Sequence, residues 1–216
     1  REKLDKQGEK SRHKMKDRGF GKTDGDVVQD HYTANAHSTI TGDLKTKTTA
    51  VHGALNLGGD LHAKDGLKVF GKLDCGGIHS GETDIHGRGS LAGDMKSGDL
   101  KVLGQLHCGG EMKCGDITVR GAVECTGDAA GEDIGISGRF RCGGDIRGKD
   151  IQVSGGLDCT GDLRADTVNG SGAIHCGGDL HADDLAVSGK SESGGEVRAK
   201  KIKASGKLLS GGDMSA

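Results

Sequence analysis

From Gly172 to Ser188 the chain reads GAIHCGGDLHADDLAVS. Its apolar residues come in three pairs: Ile174 and Cys176, Leu180 and Ala182, Leu185 and Val187. Within each pair the spacing is two, the period of a strand that buries one face. Gly172 and Gly178 flank the first pair, where a chain that bends sharply is expected to use glycine. With Gly172 as position 1, the pattern predicts three very short strands at positions 3–5, 9–11 and 14–16, joined by corners.

The same unit recurs along nearly the whole chain. It starts at Gly104, Gly121, Gly138, Gly155, Gly172, Gly189 and Gly206, an unbroken 17-residue period. Further back the register runs through Gly89, Gly71 and Gly53 with small insertions and a deletion, then through Ala36 and Gly19. Positions 7 and 8 read glycine then acid, as in Gly25-Asp26, Gly59-Asp60, Gly144-Asp145 and Gly178-Asp179; Gly77-Ile78 departs from the rule. One such unit cannot bury its apolar face, but stacked units can, each strand pairing with its equivalent one coil away. The prediction is an all-β fold, a right-handed parallel β-helix (β-solenoid) with 17-residue coils. The handedness follows from the crossover preference. The five-residue step from position 9 to 14 argues against a left-handed hexapeptide helix. About eleven coils at about 4.8 Å each make a rod on the order of 50 Å long. Residues 19–216 form this domain, and residues 1–18 a basic tail or degenerate cap with eight Lys or Arg against four Asp or Glu.

Composition narrows the core. With 42 Gly, three Phe, one Tyr and no Trp among 216 residues, the interior must be thin and built from Leu, Ile, Val, Ala and Cys. Cys75, Cys108, Cys125, Cys142, Cys159 and Cys176 all occupy position 5, and Cys114 occupies position 11, both inward. They read as a ladder of reduced core thiols, since Ile40 and Leu57 fill the same slot. Spacing of about 4.8 Å between coils also lies within disulfide reach. Zinc is not expected: His107 and Cys108 are neighbours on one strand and point to opposite faces, and no CxxC spacing occurs.

The formal net charge is −2, so no global basic field calls for nucleic acid, and the aromatic residues that stack single-stranded bases are few. The acids of position 8 do not suggest a calcium cage, because position 10 is often basic, as in Asp145 beside Arg147 and Asp162 beside Arg164. The Thr ranks of ice-binding solenoids, the carboxylate pair of a glycan-cleaving helix and a Ser/His/Asp or Cys/His arrangement are likewise not found. The expectation is a non-enzyme without metal or other cofactor.

The phrase Gly-Asp-hydrophobic-x-Ala, present as Gly161-Asp162-Leu163-Arg164-Ala165 and Gly178-Asp179-Leu180-His181-Ala182, resembles the repeats of bactofilins, and the variant with one Cys per coil resembles those of Gram-positive bacteria. The resemblance implies a bacterial cytoskeletal scaffold whose subunits polymerise end to end without nucleotide. It also implies partners among cell-wall or membrane-associated proteins, and a cytoplasmic or membrane-associated location. The chain departs from the family in opening with REKLDKQGEKSRHKMKDRG in place of a short apolar tail; this basic segment suits contact with anionic lipid. The candidate assembly ends are Phe20, Val27 and Tyr32 on one side and Leu208 and Met214 on the other. The alternative is a monomeric or surface-displayed solenoid that binds a partner along its charged face.

Overall fold

The computed structural model describes residues 21–216; the basic segment 1–18, with Gly19 and Phe20, lies outside the described residues. Among the described residues there are 28 strands and no helix. The strands form two sheets, one of twelve and one of sixteen, and the pairings are parallel. The twelve-stranded sheet collects positions 2–5 of every coil. Gly156–Cys159 lies on Ala173–Cys176 with Leu157 opposite Ile174 and Cys159 opposite Cys176, a shift of one 17-residue unit. Twelve strands make eleven coil-to-coil steps, so the chain is a β-solenoid of about eleven turns.

The second and third apolar pairs are not two separate sheets. Leu163–Gly170, Leu180–Val187 and Val197–Ala204 each run through positions 9–16 as one eight-residue strand. Each coil bends at the same place, so the peptide groups of adjacent coils stay opposite one another and the ladder continues through the bend. The strand splits in some coils with glycine near the bend, between Ala129–Ala130 and Asp133–Ile136 and between Ile146–Arg147 and Asp150–Val153, but runs unbroken through Gly81 and Gly98.

The irregular coils lie where the repeat slips. An extra residue between Gly53 and Gly71 is absorbed as register shifts within Leu61–Val69. The next coil is one residue short, and Ile78 pairs with Leu61 and Met95 although position 8 is missing before it. Arg88 then pairs with both Lys72 and Gln105, which places Gly87, and not Gly89, at position 1. Gly89 is instead an inward strand residue, where an added Cβ would lie 3.1 Å from Leu106 Cδ1 and 3.3 Å from Ile85 Cδ1.

The core is the column of inward positions, including Phe140, Leu157, Ile174, Leu163, Leu180, Ile151 and Val168, all at most 2% exposed. The glycines that pace the repeat act through space rather than through backbone freedom. Only Gly25, at φ 87°, has a positive φ among the described residues. At position 1 a Cβ on Gly172 would overlap Gly155 O and Ser154 O of the preceding coil. Coils pack backbone on backbone at this corner, and no side chain fits between them.

Candidate functional site

Three features carry chemistry: the Gly-Asp corner, the thiol row, and the exposed ends and stripe of the rod.

At the corner, seven position-8 aspartates bond the backbone of the next coil. Asp145 Oδ1 accepts from Asp162 N at 2.9 Å, Asp162 Oδ1 from Asp179 N at 2.9 Å, and Asp179 Oδ1 from Glu196 N at 2.8 Å. Asp26, Asp43, Asp94 and Asp128 do the same for Asp43, Asp60, Glu111 and Asp145. The glycine before each acid is needed for this bond, because a Cβ on Gly178 would overlap Asp162 Oδ1, and one on Gly161 would overlap Asp145 Oδ1. The second oxygen of Asp162 and Asp145 holds the position-10 cation, Asp162 Oδ2 to Arg164 Nη2 at 2.8 Å and Asp145 to Arg147 at 3.2 Å, and Glu196 pairs with Arg198 at 2.7 Å. The backbone N–H of Asp60, then Lys45, holds the Asp43 carboxyl below its ordinary pKa, and Glu111 raises that of Lys113.

These acids are therefore engaged in structure rather than gathered around an ion. No cluster of three or more His, Cys, Asp or Glu placed to hold a metal occurs among the described residues. His107 Nδ1 lies 3.7 Å from Glu124 Oε2 one coil on, while Cys108 is fully buried beneath the same strand. A groove of about 740 Å³ along positions 15–17 is lined by Ser137, Ser154, Ser171, Ser188 and Ser205 with Gln152 and Asn169, and none of its lining residues is a carboxylate, imidazole or thiol.

Position 5 stacks Cys108, Cys125, Cys142, Cys159 and Cys176 in register over five consecutive coils. Cys75 belongs to the same column but is separated from the run by Leu91, and Ser193 and Ser210 continue it beyond Cys176. All seven cysteines are free; the six of position 5 are buried and Cys114 is half-buried. The thiols face the corner carbonyls. Cys125 Sγ donates to Gly110 O at 3.2 Å, Cys142 to Gly127 O at 3.1 Å and Cys176 to Gly161 O at 3.1 Å. Ser193 Oγ makes the same bond to Gly178 O at 2.8 Å. Burial pushes the isolated thiols Cys75 and Cys114 up to about 12. Within the run, the neighbouring sulfurs of Cys108 and Cys142 raise Cys125, and that of Cys176 raises Cys159. The same contacts lower Cys108, Cys142 and Cys176, so two neighbours do not ionise together.

At the C-terminal coil, Leu208 is half-buried, while Leu209 and Met214 are 42% and 48% exposed. Lys207–Ser210 pairs with Lys190–Ser193 on one side only. At the other end Val27 is half-buried and Val28 is exposed, but Tyr32 is buried within the core, opposite Thr49. Phe20 lies outside the described residues.

Sequence reasoning missed a stripe on position 17. His52, Phe70 and His86 stack face to face with ring centroids 5.0 Å apart at each step, and all three are exposed. Leu103 follows in the next coil, also exposed. The irregular coils hide the column, because the step from His52 to Phe70 is longer than the regular period and the step from Phe70 to His86 is shorter. No helix among the described residues is long and apolar enough to cross a membrane.

No family model, no curated protein and no solved structure matches this chain.

Proposed function

We propose that this chain is a structural, non-enzymatic protein whose copies stack end to end into filaments that serve as a scaffold. The observation that supports this best is the uniformity of the coil-to-coil junction. Regular coils present the next with the same strand edges and the same apolar cross-section, and at seven corners an aspartate is aimed at a backbone N–H of the next coil. A further copy stacked on the last coil would meet, over positions 2–10, strand edges and apolar residues of the kind an interior coil meets. In the last coil Leu208 and Met214 have a paired coil on one side, and stacking would cover the other. The likeness of the Gly-Asp phrases to bactofilin repeats supports the same reading, with wall-associated or membrane-associated machinery as the cargo of the scaffold, inside the cell or at its membrane.

Negative-stain electron microscopy tests it. Purified protein should form filaments, and Leu208→Lys should abolish them while leaving a soluble, β-rich monomer. A lysine there puts a charge into the junction, at a cost of several kcal/mol, while in the monomer its long stem still reaches water. Leu208→Lys filaments of normal length would refute assembly through this coil. Discrete short rods from the wild type would favour the second reading, a monomeric solenoid that binds a partner along its side. The exposed His52, Phe70, His86 and Leu103 stripe supports that alternative.

A further inference from the structure

The run of five cysteines is more uniform than packing requires. Position 3 in the same five coils holds Leu106, Val123, Phe140, Leu157 and Ile174, all buried. Position 9 holds Met112, Ala129, Ile146, Leu163 and Leu180. These columns vary freely within the limits of an apolar core, so recent duplication of a unit does not account for the sameness of position 5. Nor does the slot itself demand sulfur, since Ile40, Leu57, Leu91, Ser193 and Ser210 occupy it in other coils. Thiol nevertheless fills the slot in five coils in a row, Cys108, Cys125, Cys142, Cys159 and Cys176, as it does singly in Cys75.

The geometry of the row excludes some ligands and suits one class. A straight column offers any point between two coils just two sulfurs, one above and one below. A tetrahedral zinc ion needs four converging donors and is not served. Soft d10 cations such as copper(I) bind thiolate and are satisfied by two donors in a line. Metal–thiolate bonds of roughly 2.3 Å place the two sulfurs about 4.6 Å apart, close to the spacing of about 4.8 Å between adjacent strands. The thiols already sit in register across each of the four steps.

We propose that the row Cys108–Cys176 is a binding site for soft, linearly coordinated cations, with copper(I) as the physiological ion, each held between the sulfurs of two adjacent coils. The step is an exchange without electron transfer. One copper(I) replaces the protons of two thiols, forms two Cu–S bonds and releases two H⁺, leaving a bis-thiolate complex of charge −1. The corner carbonyls lose their S–H donors but remain bonded: Gly110 O still accepts from Gly127 N at 3.1 Å and Gly161 O from Gly178 N at 3.0 Å. Because two protons leave per ion, uptake strengthens as pH rises. The site is independent of filament assembly and stands or falls separately.

A linear row of five imposes a parity rule. Disjoint neighbouring pairs accommodate two ions and leave one thiol over. Removing Cys108, Cys142 or Cys176 still leaves two pairs, whereas removing Cys125 or Cys159 leaves one. The test is anaerobic titration of the full chain with copper(I) against a chromophoric copper(I) chelator, with the bound metal counted by native mass spectrometry. Single serine variants suit the slot, as Ser193 and Ser210 show, and circular dichroism checks their fold; alanine at the same positions carries the same count if a serine variant fails. The expected result is two ions for the wild type, for Cys75→Ser/Cys114→Ser, and for Cys108→Ser, Cys142→Ser and Cys176→Ser. Cys125→Ser and Cys159→Ser should hold one. X-ray absorption should find two sulfurs per copper. The proposal is overturned if the wild type retains no copper(I), if all five variants lose metal equally, if the Cys75/Cys114 pair proves necessary, or if copper is bound by three or more sulfurs.

Discussion

The Gly-Asp corner makes a sharp prediction, because two residues in successive coils share one bond in space. Asp162 Oδ1 accepts from the part-buried N–H of Asp179 at 2.9 Å, and the Cβ-less face of Gly178 makes room for that oxygen. Asp162→Ala removes a charged acceptor and leaves the N–H without its partner. Such bonds contribute about 1.5–3 kcal/mol; the Arg164 pair lost with it is exposed and adds about 0–1 kcal/mol. Gly178→Ala should cost at least as much by a different route. Its Cβ displaces the Asp162 carboxylate, which breaks the same bond, and it also presses on Gly161 C and O at 3.1 Å. In the double variant the bond can be lost only once, so the two effects must fall short of their sum by about 1.5–3 kcal/mol. Urea unfolding of the wild type, both single variants and the double variant, followed by circular dichroism, closes the cycle. The comparison holds only if all four share one m-value, since a stack of repeats can unfold in parts. Additivity within about 0.5 kcal/mol would refute the claim that the glycine is there for the carboxylate.

Three further outcomes are expected. Leu157, in mid-rod and 2% exposed, should lose about 2–5 kcal/mol on substitution by alanine, measured in the same urea assay. Cys114, whose thiol burial raises to about 12, should react with iodoacetamide at pH 8 roughly a thousandfold more slowly than a free thiol, and reach the free rate on denaturation. Asp43 should contribute to stability against acid: its folded pKa is depressed, so the contribution is present above the unfolded value near about 4 and is lost as pH falls through the lower folded value. Acid unfolding of Asp43→Asn should therefore begin from lower stability at neutral pH and show a shallower dependence below about pH 4.

How much of this was legible in the sequence depends on the range of the forces involved. Alternation such as Ile174, Cys176 and Leu180, Ala182 reports a strand with one dry face, and a 17-residue period reports that each strand lies on its own repeat; from these the solenoid, its inward columns and the cysteine row follow without coordinates. The pairing of Asp145 with Arg147 and Asp162 with Arg164 was legible for the same reason, since residues two apart on a strand share a face. Other features depend on what one coil places against the next. Position-7 glycine reads as a bend, but Gly178 is there because the Asp162 carboxylate of the preceding coil occupies its side-chain space. Gly89 reads as a corner, but pairing of Arg88 with Gln105 makes it a strand residue. The second and third apolar pairs read as separate strands, but adjacent coils bend together and keep their ladder intact. His52, Phe70 and His86 fall into one exposed column only because an insertion and a deletion offset each other in neighbouring coils. Periodicity is a property of one chain and fixes which way each side chain points; close contact between backbones, shared bonds and register across irregular coils are properties of the stack, and the stack alone decides them.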